Sequence, residues 1–205
     1  MIMRLALRIA AALTFAACVH APPRVSATER DAGTLLVTVV RHAEKAPLPA
    51  DDPVLSVAGT TRARALDSVM RKFPVTDVVV SQLHRTRLTA ADVIARTGAV
   101  VHVVAIGSAG IAAHIQSVAD TVRAIAGSRG RGAVLVVGHS NTVTQIVDAL
   151  GGGSVLPLCD SQYSQLFVLR GRLGGATALT RSTYGAADPV DATCATSAPG
   201  MFPRP

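Results

Sequence analysis

LLVTVVRHAEK, residues 35–45, decides how the rest of the chain reads. Its first half is a short apolar run, too short for a helix and dense in β-branched residues at Val37, Thr38, Val39 and Val40. Such a run fits a buried strand, where branched side chains pack well. Arg41, His42, Glu44 and Lys45 then arrive together at its carboxyl end. In open α/β sheets that end of a strand is where ligands bind. Taken alone, an Arg-His pair could equally cap a strand at the surface, so the remaining sequence has to choose.

Outward from this strand, the chain alternates. Residues 46–53 hold three prolines and two aspartates and read as a loop. Ser56 is placed to cap a helix running to about Lys72, with Leu66, Val69, Met70 and Phe73 at helical spacing. Residues 75–80 form a second strand, and 84–97 a helix with Gly98 as its carboxyl cap. Residues 100–104 form a third strand. Ile111, Ile115, Val118, Val122 and Ile125 mark a periodic helix. Gly127, Gly130 and Gly132 read as a loop, without the Lys-Ser/Thr pair of a nucleotide phosphate loop. Residues 133–137 form a fourth strand, followed by Gly138-His139-Ser140 and a helix capped by Asn141 and closed by Gly151. Residues 165–169 and 176–182 read as two more strands, a hairpin about Gly174-Gly175. Strands alternating with helices predict an α/β three-layer sandwich, a mainly parallel central sheet with helices on both faces and right-handed connections.

Composition narrows the function. Among 205 residues, 49% are hydrophobic and 16% charged, which supports one sizeable core and argues against global disorder. Lys plus Arg number 20 against 13 Asp plus Glu, for a net charge of +7. All the basic residues but Lys45 and Lys72 are arginines. This field favours anionic partners such as phosphorylated small molecules or acidic head groups. Nucleic acid is not expected, because aromatics are 3% with no Trp and the arginines are scattered.

The amino terminus reads as a targeting segment. Arg4 and Arg8 precede an apolar run at 9–17, and Phe15-Ala16-Ala17 leads into Cys18. That describes a signal peptide over 1–17, too short to span a bilayer. Its removal takes two arginines, so +7 becomes +5. Cys18 resembles the lipidated cysteine of bacterial lipoproteins, although Phe15 stands where Leu is usual; plain secretion with a cut near Ala17 is the alternative. Residues 18–33 then serve as a tether, 34–185 as the domain, and 186–205 as a loose tail held only at Cys194. Cys159 and Cys194 are the two remaining thiols. In an exported protein they suggest a disulfide, with two buried free thiols as the alternative.

The ends of the strands carry the chemistry. In a parallel sheet they share one edge, so Arg41, His42, Arg85 and His139 can converge despite their distance in sequence. Two guanidiniums and two imidazoles suit a phosphoryl group, because the Arg fork matches phosphate oxygens and keeps its charge. A neutral imidazole is also a nucleophile near pH 7. At this point the chain resembles the histidine phosphatase superfamily, the phosphoglycerate mutase-like proteins. RHAEK at 41–45, SQLHRTRLTA at 81–90 and VGHSN at 137–141 match its motifs in order, over about Leu35 to Tyr184. The resemblance implies a phosphoglycerate mutase-like fold and a covalent phosphohistidine on His42. It gives Arg41, Arg85 and His139 the phosphoryl group to hold, and it implies no cofactor and no metal.

Three departures qualify it: Gln82 replaces the usual Pro, Leu48 stands where mutases tend to have Asn, and Ser140 follows His139 in place of Asp. The implied activity is phosphomonoester hydrolysis on a phosphorylated small-molecule or envelope substrate, in a cell-envelope lipoprotein anchored through Cys18. The alternatives are a non-catalytic lipoprotein that binds phosphorylated ligands and a phosphoryl-transferring mutase. His42-Ala43-Glu44 also matches the H-x-E of zinc deaminases, but no P-C-x-x-C follows, and Ser140 lacks the G-x-S-x-G elbow. His20, His84, His102 and His114 read as surface or loop residues. Glu44 has three readings: a general acid, a solvated residue, or the charge partner of an arginine, which is preferred. Residues 105–116 hold no Asp or Glu, so no acid for the leaving group is legible, and a preference for activated phosphate esters is expected. Oligomeric state has no signature in the sequence.

Overall fold

Thr34–Arg41 forms β1, the strand from which the rest of the sheet is built. It pairs in parallel with β4 (Ala133–Gly138) and antiparallel with β5 (Gln165–Arg172). The computed structural model describes residues 34–129, 132–172, 177–191 and 194. The leader, the tether, the Gly174-Gly175 apex and most of the carboxyl tail lie outside these residues.

β4 in turn pairs in parallel with β2 (Val75–Val80), and β2 with β3 (Val100–Val103). β6 (Thr177–Thr183) lies antiparallel to β5, completing a six-stranded sheet ordered β3-β2-β4-β1-β5-β6. Four parallel strands and an antiparallel hairpin therefore realise the mainly parallel sheet. The helices are α1 (Val57–Met70), α2 (His84–Thr97), α3 (Gly110–Arg129) and α4 (Val143–Val147).

Side-chain alternation along the central strands feeds two cores. Ala133, Leu135 and Val137 of β4 face α1 and α2, in a cluster with Leu66, Met70, Ala90 and Val93. Val134 and Val136 face the opposite way, toward Ile115, Val118 and Val122 of α3 and Val143 and Ile146 of α4. A strand buried on both faces must be apolar throughout, which is why β4 reads AVLVVG.

Local signals account for most boundaries. The Ser56 hydroxyl accepts from the Gly59 amide at 3.1 Å, and Gly98 caps α2 in the left-handed region at φ 65°. Gly59 is also required sterically, since a Cβ there would overlap the backbone oxygen of Glu44.

Four expectations are corrected. Gly127 lies inside α3, not in the loop after it, at the modest cost glycine carries in a helix. Asn141 is exposed and does not cap α4; Thr142 occupies the cap position, and its hydroxyl accepts from the His139 amide at 2.9 Å. α4 stops after five residues and runs into a π-turn, Asp148–Gly152, with Gly151 at φ 86°. The start of the tail is tied down: Asp188 accepts from the Tyr163 and Ser164 amides at 2.7 and 2.8 Å, and Asp191 from the Ser161 hydroxyl at 2.9 Å. Cys159 and Cys194 form a disulfide. Among the described residues, no helix is long and apolar enough to cross a membrane.

Candidate active site

The register of the sheet gathers the site. Arg41 pairs with Gly138, and Val40 and Val80 both pair with Val137, so residues 42, 81 and 139 emerge side by side. The His42 amide donates to the Gly138 carbonyl at 2.9 Å, and the two imidazole rings stand 5.3 Å apart. Gly138 lets the turn into α4 pack close against β4, because a Cβ there would come within 2.9 Å of the Thr142 hydroxyl.

His42 is 5% exposed, and its Nδ1 lies 2.8 Å from the Ala43 carbonyl. A carbonyl only accepts, so Nδ1 carries the proton and Nε2 keeps its lone pair. The Ala43 backbone is itself held, its amide donating to the Thr89 hydroxyl at 2.9 Å. Burial first, and then His139, Arg41 and Arg85, push the His42 pKa down to about 3 against the pull of the Ala43 carbonyl. His139, 6% exposed, falls to about 4 through burial and then the charge of Arg85, His114 and Arg41. Its Nε2 meets the Ser81 hydroxyl at 3.1 Å. Both rings are therefore neutral near pH 7.

Arg41 works in two directions. Its Nη1 donates to the carbonyls of Cys159, Asp160 and Gln162 at 3.0, 2.9 and 3.0 Å, and its guanidinium lies 3.9 Å from the Tyr163 ring centre. Nη1 is thus committed to the loop before β5. Its Nε is buried without a hydrogen-bond partner among the described residues, and so is the Nε of Arg85. Burial lowers the pKa of both groups, but a guanidinium stays charged. Two buried guanidinium donors beside two neutral imidazoles suit an anionic ligand such as a phosphoryl group.

A cavity of about 540 Å³ opens over these four side chains. Ile106 and Ile111 line it on the segment between β3 and α3, and Gln82 fixes that segment by accepting from the Ile106 amide at 2.9 Å. The residue that breaks the usual Pro pattern thus shapes the cavity wall. Lys45, Ser140, Asn141, Asp160 and Tyr163 complete the lining.

Glu44 is not among the lining residues. Its carboxylate is gripped by Arg62, Nε at 2.9 Å and Nη2 at 2.8 Å, which is a charge-partner arrangement. Asp52 bonds the His84 amide and ring at 2.9 Å each, and lies 4.0 Å from Arg85. His102 pairs with Asp77 at 2.9 Å. His114, expected at the surface, is instead 4% exposed, and burial lowers its pKa. The helical spacing that places Ile111, Ile115 and Val118 inward carries His114 inward too. Sequence reading also missed Asp160, Tyr163, Thr89 and Arg62. The first two sit on a loop without periodicity, and SQLHRTRLTA already contained Thr89. Among the described residues, no group of three or more His, Cys, Asp or Glu could hold a metal ion.

Comparison with known proteins bears on the fold. Residues 37–105 match the model of the histidine phosphatase superfamily (branch 1). The fold is that of the histidine phosphatases. The structure of the protein histidine phosphatase SixA complexed with tungstate superposes with a TM-score of 0.59 at 20% identity, covering 72% of this chain and 96% of that one. The SixA structure from Nakamurella multipartitia gives 0.57 at 24% identity, over 76% and 99%. Mycobacterial glucosyl-3-phosphoglycerate phosphatase gives 0.54 at 18%, over 75% and 100%. No curated protein sequence matches the chain. In this histidine phosphatase fold the matched segment carries Arg41, His42 and Arg85, while His139 lies beyond it.

Proposed function

We propose that the chain is a phosphomonoester hydrolase that works through a phosphohistidine on His42. The observation that carries this reading is the protonation of His42: Nδ1–H is spent on the Ala43 carbonyl, which leaves Nε2 as the free nucleophile beside two guanidiniums with unpartnered Nε atoms. The phosphoryl group occupies the cavity floor, held by Arg41, Arg85 and His139. His42 Nε2 attacks phosphorus in line as the ester oxygen departs, and water then releases inorganic phosphate. The three neighbouring folds described above include phosphatases, and one was solved with tungstate, a tetrahedral oxyanion.

The substrate is a phosphorylated small molecule or envelope component. The chain is exported and held at the membrane by lipid on Cys18, a reading that rests on its basic and apolar leader. Mass spectrometry of the mature amino terminus tests it, and an unlipidated terminus in the soluble fraction refutes it.

The test of the activity is an acid-labile phosphoenzyme with a panel of phosphomonoesters. His42→Ala removes both turnover and labelling while phosphate still binds through Arg85. Turnover by the mutant within about tenfold of wild type would refute the nucleophile. Phosphate binding by wild type with no turnover on any ester would favour a binding module.

A further inference from the structure

Phosphoryl transfer to His42 leaves a developing alkoxide, for which the sequence offers only Glu44 as a possible donor and hence a preference for activated esters; Glu44 is instead held by Arg62. The fold supplies a donor from an unexpected quarter. Asp160 is the one carboxylate among the described residues that line the cavity. The other nearby acids are engaged elsewhere: Glu44 with Arg62, Asp52 with His84, and Asp188 with the Tyr163 and Ser164 amides. We propose that Asp160 is the general acid and base of the reaction, an inference that rests on the phosphatase reading above.

Direction comes first. In-line transfer places the leaving oxygen opposite the attacking nitrogen, across phosphorus. His42 lies at the buried floor, so the leaving oxygen faces the open mouth. The Asp160 side chain, 97% exposed, stands on that open side.

Placement comes next. The Asp160 carbonyl accepts from Arg41 Nη1 at 2.9 Å, and the same nitrogen holds the carbonyls of Cys159 and Gln162. Asp160 therefore rides on the side chain that grips the phosphoryl group, which ties its position to the substrate's. The Cys159–Cys194 disulfide anchors the loop from behind. The carboxylate itself is lightly held: Oδ1 accepts from the Ser140 hydroxyl at 3.3 Å and lies 3.8 Å from Arg41 Nη2. An ion pair so exposed is worth little, so the carboxylate is free to turn to the ester oxygen when phosphate takes over Arg41.

The proton balance closes without a further reactant. A phosphomonoester, whose second ionisation lies near pKa 6, enters as the monoanion and delivers its proton to Asp160. In the first step the Nε2–P bond forms and the P–O ester bond breaks. The electron pair goes to the leaving oxygen, which takes the proton from Asp160. In the second step a water oxygen bonds to phosphorus, the P–Nε2 pair returns to His42, and the Asp160 carboxylate takes the water's proton; it then hands that proton to the product, which departs as the phosphate monoanion and leaves Asp160 a carboxylate again.

The experiment is a series of phosphate monoesters graded by leaving-group pKa, run on wild type, Asp160→Asn, Asp160→Glu and Tyr163→Phe, with thermal melting to check the fold of each. Wild type and Tyr163→Phe are expected to show a shallow dependence of kcat/KM on leaving-group pKa. Asp160→Asn should lose less than about tenfold with a p-nitrophenyl ester and about 10²–10⁴-fold with alkyl esters. It should also accumulate phosphoenzyme, because the second step has lost its base. Asp160→Glu should recover part of the alkyl-ester rate. Equal slopes in wild type and Asp160→Asn overturn the assignment, and so does a slope that steepens only in Tyr163→Phe, which would move the acid to the phenol. If His42→Ala retains turnover, it is the phosphatase reading that fails; if His42→Ala is inactive and the slopes coincide, only Asp160 fails.

Discussion

Arg62→Ala should unfold this protein far more readily than a single surface-ward arginine suggests. Arg62 is 4% exposed. Its Nε and Nη2 hold the Glu44 carboxylate, and its Nη1 donates to the carbonyls of Tyr184 and Ala186 at 3.0 and 2.9 Å. One side chain thus links the segment after the nucleophile, the first helix and the carboxyl end of the domain. Truncation leaves a carboxylate and two carbonyls without their donors. Breaking a buried pair costs about 3–5 kcal/mol. Glu44 is 23% exposed, so water recovers part of that and the low end, about 3 kcal/mol, applies. The two carbonyls bring the total to about 4 kcal/mol, since water entering the vacated space satisfies them in part. For a domain of this size, that is a fall in Tm of about 8–16 °C.

Glu44→Gln separates stability from catalysis. The amide oxygen still accepts from Arg62, so the loss should be about 1–2 kcal/mol, with kcat/KM within about threefold of wild type. Urea unfolding and calorimetry measure the first quantity, steady-state kinetics the second. A cost below about 1 kcal/mol for Arg62→Ala would refute the strut. A loss of about a hundredfold in kcat/KM for Glu44→Gln, with stability kept, would restore Glu44 as the acid.

Two further predictions concern conditions. His42 and His139 have native pKa values of about 3 and about 4, below the unfolded value near 6.5, so the unfolded chain binds more protons on acidification. Their contribution is therefore complete above pH 6.5 and is lost as pH falls toward the native values. The loss amounts to about 2 kcal/mol for each ring by pH 5, and His42→Ala should remove about half of the pair's total loss; melting that does not change between pH 7 and 5 would refute it. Reduction of Cys159–Cys194, which closes a 35-residue separation, should cost about 3–4 kcal/mol and raise KM by loosening the loop that Arg41 holds. Melting and kinetics with and without reductant, beside Cys194→Ser, test this, and identical Tm values would refute it.

Much of the scaffold was legible in the chain because its causes are local. β2 and α2 follow from apolar runs, a breaker and a left-handed glycine cap within a few residues of each other. Arg41, His42 and His139 were legible because they stand at the carboxyl ends of strands, and Arg85 because its helix opens shortly after one; parallel strands end on one edge. The failures are local signals overruled by packing. Asn141 has the chemistry of a cap, but the turn after β4 is so close that Thr142 takes the position. Gly127 has the chemistry of a loop, but α3 continues through it to Arg129.

By itself, then, the sequence determined a parallel α/β sheet with two arginines and two histidines at its carboxyl edge, because periodicity and strand ends are properties of short segments. Only the tertiary structure decided which nitrogen of His42 is free, since that depends on the Ala43 carbonyl and on burial from all sides. It alone committed Glu44 to Arg62 and drew His114 beside the site. It also brought Asp160 to the cavity through contacts spanning 118 to 121 residues from Arg41. The loop that carries Asp160 has no periodicity of its own, and its place is set by a guanidinium and a disulfide that reach it only after the chain has folded.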